Sequence, residues 1–566
     1  MAFSHGQGPA GSTRAHAPIR HRAGSPRIVV SLAAICSALA LAACGGSSNS
    51  NSNSGGGTTT GSGGATTGAN TSTVAQGTPQ AGGSITVLES SGFAGDWPAG
   101  LDPATNTNGA ADQSQMNAIF GEPFELGSDG KLHPDLFTAY KFSDGGKTVT
   151  MKLRKGVKFS DGTPFNAQAV VFNWKRDLKS TCTCKPIIQV DSIAAPDPTT
   201  VVLKLKLPDG AFVNALQDSN FSWIASPAAL KKMGEKKFKL APVGAGPFTV
   251  SSDTLSSQLV LKKNPKYWQK GRPYLDGLTF KTTQDDETAL EAMQAGQGQA
   301  YEGMSTVKLV PTFKSKFQVT GQPGTSPYDI QLNTKIPPFN NKQARLAIYY
   351  ATNGPLLDDK LFNNAQPVGQ SFTAAGGLFY TKTVPGYPTY NLAKAKAIVK
   401  QLGGLKVDFF SIQQSATQNM MIALQQMWKQ AGIQSSIHLY SLAGLIQQFG
   451  GKWQAALQTA GAWDPAGGVG VAFRFASTSP FSGVHDPKLD ALINKGAAEV
   501  NPAQRNKTYA QTAAYIAKNA YGPFLFPVTS WSIAAKGLQG PGLTTSIPAV
   551  AVNTGILWPD VAKSGS

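Results

Sequence analysis

The segment FSDGGKTVTMKLRKGVKFSDGTPF, residues 142–165, decides the fold class, because it contains both strand and turn patterns. Its apolar residues Val149, Met151 and Leu153 alternate with polar ones. Such alternation is typical of a strand that buries one face and exposes the other. Gly156 interrupts the pattern, so we expect the strand to end there.

The second part of the same segment predicts another strand, a turn and a helix. Residues 157–159 predict the strand, and Asp161-Gly162 has the composition of a turn. A helix is expected over 167–176, beginning near Asn166.

The rest of the chain continues this mixture of elements. Alternating apolar residues predict strands at 84–87, 201–205, 259–261, 278–281, 406–410 and 433–439. Helices are predicted at 113–120, at 392–402 after Asn391, and after the pairs Asp486-Pro487 and Asn501-Pro502. Elements in this order predict mixed α/β lobes, and the chain is long enough for two or three of them.

The first 44 residues have the pattern of a secretory signal. Four arginines precede an apolar run over 28–41, which is shorter than the roughly 20 residues of a membrane span. The sequence Leu41-Ala42-Ala43-Cys44 resembles a bacterial lipobox, in which the cysteine thiol takes a diacylglycerol and becomes the new first residue. We therefore expect removal of residues 1–43, lipidation of Cys44, and a location at the outer face of the cell membrane or in the periplasm. An ordinary signal peptide with an incidental Cys44 is the alternative.

Residues 45–80 are uncharged and consist mostly of Gly, Ser, Thr and Asn. Such a segment cannot bury enough apolar surface to offset the entropy lost on ordering, so a flexible tether is expected. Its typical reach is roughly 30–36 Å. It would hold a globular body away from the membrane but within range of a membrane partner.

The basic charge of the chain is spread thinly. The formal net charge of +18 falls to +14 without residues 1–43, which hold four arginines and no acid. The densest basic run, 231–239, offers only Phe238 for stacking on a base. A solvated surface near an anionic envelope is therefore favoured over nucleic-acid binding.

Cys36 is expected to be removed with the signal peptide, and Cys44 is expected to carry the lipid. Two further cysteines remain. Cys182 and Cys184 could form a disulfide in an oxidising exterior, although a bridge across one residue is tight. The simplest interpretation is a local disulfide that stabilises the loop and has no functional role. No His lies near them in sequence, so no metal site and no cofactor are predicted.

Several motifs resemble, in order, those of the extracytoplasmic solute-binding proteins of ABC importers, family 5, the peptide- and nickel-binding group. They are Gly82-Gly83 with Leu101-Asp102-Pro103, the segment 142–165, Gly244-Ala245-Gly246-Pro247-Phe248, Asn333 with Pro338-Phe339, 345–348, and 391–403. The segment 142–165 is the most specific of them. The resemblance covers nearly the whole body, from Gly82 to about Gly537.

This resemblance implies a two-lobed, type II periplasmic-binding-protein-like clamp with mixed sheets, flanking helices and an extra subdomain. After the signal peptide (1–43) and the lipidated Cys with its linker (44–81), lobe I would comprise 82–122, 243–325 and 516–566, its extra subdomain 123–242, and lobe II 326–515. A monomer is expected that binds a small, peptide-like solute in the cleft and delivers it to an ABC permease in the membrane.

The candidate ligand residues lie in three regions. Asp96 and Trp97 follow the first strand, and Phe120 ends the helix at 113–120. Trp463 and Asp464 fall where the family has a tryptophan-and-aspartate segment near the ligand. Asp464 matches either the ammonium-binding aspartate of the family or an Asp-Pro slightly further on, in which case Gly461 replaces that aspartate. For Trp97 and Trp463, a place in the core is the alternative.

Other classes of function are weaker. Ser305-Thr306-Val307-Lys308 fits the Ser-x-x-Lys of penicillin-interacting acyl-enzymes, but a pattern fixed at two positions is expected by chance and its companion motifs are missing. The mature chain has three scattered histidines, which argues against a caged metal, although a chelate could be held by aromatic residues and Arg. A ligand sensor without transport remains open.

The lipid anchor is the first prediction to test. In a Cys44→Ser variant we expect release of the protein into the medium, because no thiol can take the lipid, with unchanged ligand affinity. Fractionation of cells and medium measures this. Cys36→Ser, which alters only the signal, is the matched control and should leave the protein on the membrane. A membrane-bound Cys44→Ser variant would require a different anchor.

Overall fold

The computed structural model describes most of the chain beyond residue 76. The described residues are 77–90, 97, 99–106, 112–127, 131–180, 189–216, 219–366, 368–375, 379–413, 415–459, 468–547 and 556–564. All of them belong to one compact unit. Within them, no helix combines the length and the apolar character needed to cross a membrane.

Strands and helices alternate along the chain. The strands are β1 (Pro79–Gln80), β2 (Ser84–Ser90), β3 (Phe124–Leu126), β4 (Leu132–Pro134), β5 (Phe137–Ser143), β6 (Thr148–Leu153), β7 (Val190–Asp197), β8 (Thr200–Leu205), β9 (Phe248–Thr254), β10 (Gln258–Lys263), β11 (Gly277–Thr283), β12 (Ala300–Met304), β13 (Gln318–Leu332), β14 (Leu405–Ile412), β15 (Ile433–Tyr440), β16 (Ala455–Thr459), β17 (Phe524–Ala534), β18 (Leu538–Gln539) and β19 (Ala562–Ser564). The helices are α1 (Gln113–Phe120), α2 (Ala167–Lys179), α3 (Phe212–Leu216), α4 (Pro227–Met233), α5 (Glu235–Phe238), α6 (Asp286–Gln294), α7 (Val310–Lys316), α8 (Lys342–Ala351), α9 (Gly354–Phe362), α10 (Leu392–Gln401), α11 (Ser415–Gln430), α12 (Leu442–Phe449), α13 (Gly468–Phe475), α14 (Pro487–Ala498) and α15 (Pro502–Asn519).

The alternating part of segment 142–165 forms the strand β6 of an antiparallel sheet. Among the described residues this sheet, which we call the small sheet, has the order β5-β6-β8-β7. Val149, Met151 and Leu153 are buried in its core, which confirms the predicted strand. Helix α2 covers them, and its Trp174 stacks on Phe221 with ring centroids 5.1 Å apart.

The prediction of a strand over 157–159 is wrong. Lys158 forms only an isolated bridge with Pro164, and the chain between them turns. The carboxylate of Asp161 accepts hydrogen bonds from both the backbone N–H and the hydroxyl of Thr163. The backbone N–H groups of Phe159 and Phe165 donate to the carbonyl oxygens of Thr163 and Val157, so residues 157–159 form one side of a tight turn with a single bridge rather than a longer ladder.

A larger sheet runs through both halves of the described chain. This large sheet has the strand order β15-β14-β16-β13-β17-β12-β2-β11-β10-β9. We call the part with β12, β2, β11, β10 and β9 lobe I, and the part with β16, β14 and β15 lobe II. The predicted strands at 84–87, 259–261 and 278–281 are confirmed in lobe I, and those at 406–410 and 433–439 in lobe II.

The strands β13 and β17, which we call the crossing strands, belong to both lobes. They pair with each other, while β17 also pairs with β12 and β13 also pairs with β16. Val319 of β13 and Ile533 of β17 pack in a lobe I core, whereas Ile330 and Phe526 of the same two strands pack in a lobe II core. Each crossing strand therefore begins in one core and ends in the other.

Prolines interrupt the crossing strands where they pass between the lobes. Pro323 lies opposite Thr529 and Pro327 opposite Pro527, and the register shifts on both sides of Pro327. Proline has no N–H to donate to a ladder, so cross-strand hydrogen bonds are lost at this point. We call this interrupted stretch, residues 323–327 of β13 and 527–529 of β17, the hinge; it is where the ladder shared by the two lobes is broken.

The helix starts predicted from capping residues are confirmed. The side chains of Asn391, Asp486 and Asn501 each accept a hydrogen bond from a backbone N–H in the first turn of the following helix. Asn166 does the same for α2. These bonds satisfy donors that have no partner inside a helix.

The end of the predicted tether is part of a strand. Pro79 and Gln80 pair with Ser564 and Lys563 at the other end of the described chain. Residues 45–76 of the tether, like Cys44 and the predicted signal peptide, lie outside the described residues. The boundaries predicted for the lobes and the subdomain stay a prediction.

A core truncation in the small sheet tests the role of segment 142–165. Met151 is completely buried, so Met151→Ala should lower the free energy of unfolding by about 2–5 kcal/mol through lost contacts and a residual cavity. Urea unfolding followed by circular dichroism measures the change. Lys141→Ala, at an exposed position on the neighbouring strand β5, should stay within about 0.5 kcal/mol of the wild type. Equal stability of both variants would show that the small sheet does not depend on this core.

Candidate functional site

Glu89 lies on a buried face of the large sheet. In β2, Val87 packs in the core beneath α1, together with Met116, whereas Leu88 packs on the opposite face. Because successive side chains of a strand point to opposite faces, Glu89 faces α1 like Val87. It is 0% exposed. A carboxyl group in this position is costly unless it is hydrogen-bonded.

Glu302 lies beside Glu89 on the neighbouring strand. The strands β12 and β2 are parallel, and Glu302 is the register partner of Glu89. Adjacent strands are about 4.8 Å apart, and register partners point to the same face. Glu302 is 2% exposed. The two carboxyl groups, which we call the acidic pair, are therefore neighbours in a buried environment.

The first turn of α1 supplies hydrogen bonds to the acidic pair. The Ser114 hydroxyl donates to Glu302 Oε1 at 2.8 Å, and Gln115 Nε2 donates to Glu89 Oε2 at 2.5 Å. The indole N–H of Trp558 donates to the carbonyl oxygen of Ser114 at 2.9 Å. The C-terminal part of the chain thus holds the start of α1 over the acidic pair.

Burial and like charge shift the acidic pair toward its neutral form. Burial raises the pKa of Glu89 well above its ordinary value, and the charges of Glu302 and Asp112 raise it further. Burial raises the pKa of Glu302 to about 8, while the hydrogen bond from Ser114 acts in the opposite direction. We therefore expect the acidic pair to hold at least one proton at neutral pH in the unliganded protein.

The acidic pair lies where sheets of this kind commonly bind ligands. Glu89 is near the carboxyl end of β2, and Glu302 is beside it in the middle of the parallel strand β12. The carboxyl edge of parallel strands in an α/β sheet is the usual ligand side. The segment 91–96 follows β2 directly and contains the predicted ligand residue Asp96, which is outside the described residues.

A buried ion pair lies in lobe II beside the hinge. Arg474 Nε on α13 is 3.0 Å from Asp329 Oδ1 on β13, and both side chains are completely buried. Arg474 Nη2 also donates to the carbonyl oxygen of Pro327 at 2.9 Å. Loss of one partner from such a pair costs about 3–5 kcal/mol, because it leaves a buried charge. The pair therefore fixes α13 to the crossing strand next to its hinge proline.

The predicted ligand residues that the structure describes are in the core of lobe I. Trp97 is 0% exposed, and its indole N–H donates to Asp253 Oδ1 at 2.8 Å. Phe120 is buried in the same core at the end of α1. Their contact with a ligand stays a prediction. Trp463 and Asp464 lie outside the described residues, together with Cys182 and Cys184.

The acidic pair and Arg474 did not stand out in the sequence. Glu89 continues the alternation of Ile85 and Val87, so its place on the buried face could have been predicted from the period of two. The register that brings Glu302 to it joins strands about 200 residues apart, and no local pattern contains that information. Arg474 is a single charge in an apolar helix, which was the available signal for a buried ion pair.

The Ser-x-x-Lys pattern does not bring its two side chains together for catalysis. The Ser305 hydroxyl is 3.3 Å from Asp286 Oδ2, and Lys308 Nζ pairs with Glu287 at 3.1 Å. The lysine that would activate the serine is therefore held by another carboxylate. Across the described ranges, no group of three or more His, Cys, Asp or Glu side chains is arranged to hold a metal ion.

Comparison with known proteins decides the family. The sequence model described as bacterial extracellular solute-binding proteins, family 5 Middle, matches residues 131–480. The chain belongs to this family. It is 31% identical over 369 residues to the glutathione-binding protein GsiB of Escherichia coli K12, a match that covers 62% of this chain and 70% of GsiB.

Solved structures confirm the predicted fold of this family 5 protein. The ABC transporter substrate-binding protein CtaP from Listeria monocytogenes has a TM-score of 0.70 at 21% identity, covering 86% of this chain and 100% of CtaP. The periplasmic binding protein DppA from Helicobacter pylori, solved in complex with the peptide STSA, has a TM-score of 0.64 at 22% identity, covering 86% and 99%. The fold is therefore the two-lobed clamp of periplasmic binding proteins.

The raised pKa of Glu302 predicts a pH-dependent stability. Up to about pH 8 the native protein keeps a proton on Glu302, whereas in the unfolded chain a Glu ionises near pH 4.3. Between these values unfolding releases a proton, so the free energy of unfolding falls as pH rises, by up to about 1.4 kcal/mol per pH unit for one fully linked proton. Glu302→Gln cannot ionise and should have a smaller slope.

Urea unfolding in steps of one unit between about pH 5 and pH 8 measures this slope. Glu291→Gln removes an exposed carboxyl from the neighbouring helix α6 and should keep the wild-type slope. The same slope in Glu302→Gln and the wild type would mean that Glu302 is ionised in the native protein.

Proposed function

We propose that this family 5 protein is a membrane-anchored, extracytoplasmic binding protein that captures a peptide or similar polar solute between its lobes and delivers it to an ABC permease. The observation that carries this proposal is the pair of crossing strands, which join two separately packed lobes through a proline-containing hinge. A ligand that contacts both lobes favours the closed arrangement, because it binds that state better than the open one. The closed form would be the one recognised at the membrane.

The polar groups near the hinge support a polar solute. Lobe I contributes the acidic pair on the parallel strands β2 and β12, and lobe II contributes the Asp329–Arg474 pair beside Pro327. Ligand clefts combine apolar walls with a few fixed polar groups, which determine orientation and specificity. The segments 91–96 and 460–467, which contain the predicted ligand residues Asp96, Trp463 and Asp464, adjoin these two regions in sequence.

The relatives favour a peptide-like solute. GsiB is named for binding glutathione, which is itself a tripeptide, and DppA was solved with a bound peptide. A peptide provides an ammonium group, a carboxylate and backbone hydrogen-bonding groups within a small volume. These are groups that buried acids and arginines recognise well.

The sequence supports the anchor and the tether. Cys44 stands at the end of a lipobox-like sequence, and a long uncharged segment separates it from β1. A single acyl chain binds a membrane only marginally, whereas two or more hold it stably, so a diacylglycerol on Cys44 with a further acyl group would be sufficient. The body would then stay near a permease while its cleft remains accessible to solute.

Solute binding by the purified, undenatured protein tests the proposal. We expect one class among peptides, sugars, amines and metal chelates to bind with a stoichiometry of one per chain in calorimetry. At one hundred times its Kd this solute should stabilise the fold by about 2.7 kcal/mol. It should also reduce the radius of gyration in small-angle scattering, because the lobes close.

Two results would contradict this proposal. The first is that no solute in any of these classes binds. The second is that the solute binds without a change in scattering, which would leave the hinge without a role. Import of the identified solute by cells that lack the protein distinguishes delivery from sensing, since a sensor is not required for uptake.

A further inference from the structure

The unpartnered polar atoms of the acidic pair and α1 are all hydrogen-bond acceptors. Among the described residues, Glu89 Oε1, Gln115 Oε1 and Gln113 Oε1 are buried and accept no hydrogen bond. The exposed fractions of these residues are 0%, 0% and 3%. A buried acceptor without a donor costs roughly 1–3 kcal/mol. Apart from a proton on the acidic pair itself, the described part of the site therefore lacks donors for these oxygens.

The geometry brings two of these acceptors together. Gln115 Nε2 donates to Glu89 Oε2 at 2.5 Å, so the free oxygens of the same amide and carboxyl groups belong to one local arrangement. Glu302 lies beside Glu89 in register and has its own bond from Ser114. One incoming group with several N–H bonds could donate to more than one of these oxygens.

No positive charge within the described part of the chain balances the acidic pair. The charges that act on Glu89 are those of Glu302 and Asp112, which have the same sign. The ion pairs between described residues include neither glutamate. In lobe II, by contrast, the buried carboxylate of Asp329 has Arg474 as its partner. The acidic pair thus lacks both the donors and the charge that a cation would supply.

We propose that the acidic pair binds a cationic nitrogen of the solute, an ammonium or a guanidinium group. The assignment rests on the proposed function and narrows it to solutes that carry such a group. An ammonium has three N–H donors and a guanidinium five, and both form strong, charge-assisted bonds with carboxylates. Glu89 Oε1 and Gln115 Oε1 are the expected acceptors, with Glu302 adding negative charge beside them.

Binding of the cation is coupled to loss of a proton. The cation favours the ionised carboxylate, so the O–H bond of a protonated glutamate breaks and the proton passes to the solvent. The groups that face Glu89 are Glu302 on β12 and Asp112, Ser114 and Gln115 at the start of α1. Protonation of Glu302 or Asp112 would only restore a neutral buried acid, and the Ser114 hydroxyl and the Gln115 amide are not bases. The proton is therefore released to the solvent. Calorimetry in buffers of different ionisation enthalpy therefore detects the released proton.

Matched probes separate the charge from the rest of the solute. The probes are trialanine amide, N-acetyltrialanine amide, N-acetyl-Ala-Arg-Ala amide and spermidine. The cation is on the α-amine in the first, absent from the second, on the side chain in the third and on a polyamine in the fourth. We expect at least one cationic probe to bind, with its neutral counterpart roughly ten- to hundredfold weaker. The cationic probe that binds identifies the source of the nitrogen.

Variants assign the effect to the acidic pair. Glu89→Gln and Glu302→Gln keep the shape of the neutral acid and should weaken binding of the cationic probe roughly tenfold or more while reducing proton release. Glu291→Gln on α6 is the matched control and should bind like the wild type. Circular dichroism shows whether each variant is folded, and the comparison of probes with the wild type needs no variant.

The outcomes distinguish this inference from the proposed function. Equal affinity of the neutral and cationic probes, or unchanged affinity in folded Glu89→Gln, would overturn the cation site and leave solute binding intact. Failure of every probe and of the wider solute panel to bind the wild type would overturn both.

Discussion

The backbone shared by the two lobes constrains the rest of this structure. The crossing strands β13 and β17 are hydrogen-bonded to each other and contribute side chains to cores on both sides. In the proposed closure, each lobe would move as a body around the short stretch where the prolines remove ladder hydrogen bonds. Because packed cores resist gradual deformation, such a connection favours discrete open and closed arrangements over continuous flexibility.

The ion pair in lobe II shows how a segment of the site is tied to this hinge. Arg474 connects α13 to Asp329 and to the carbonyl of Pro327, so α13 follows the crossing strand when the lobe moves. The segment 460–467, which precedes α13, begins directly after β16, a strand paired with β13. The described elements on either side of that segment, β16 and α13, are thus both attached to β13.

Local patterns were sufficient for much of the fold. The strand β6, the helix α1 and the capped starts of α10, α14 and α15 follow from alternation and capping, which depend on neighbouring residues. The strand expected at 157–159 is wrong because these residues pair only across the tight turn at Asp161-Gly162, through one bridge, and alternation does not measure how far a pairing extends. Trp97 follows the first strand in sequence, and its packing in the core and its bond to Asp253 depend on a residue more than 150 positions away.

The site was less predictable than the fold because it depends on register between distant strands. The proximity of Glu89 and Glu302 cannot be predicted until the pairing of β2 with β12 is known. Two neighbouring buried carboxyl groups without a cation are kept partly neutral at a cost in stability, and a sequence that avoids such arrangements elsewhere commonly contains them at functional sites. A ligand that supplied the missing donors would recover that stability. This is the physical argument for the proposed role of the acidic pair in binding.

The two ends of the described chain place the proposed tether on lobe I. The strand β1, where the tether ends, pairs with β19, and the preceding residues Trp558 and Val561 pack in the lobe I core. Trp558 also holds the start of α1, the helix that bonds the acidic pair. The proposed anchor would therefore be attached to the lobe that contains the acidic pair, while lobe II is connected to it through the hinge. In the proposed closure, lobe II would move toward lobe I, which the proposed tether would keep near the membrane.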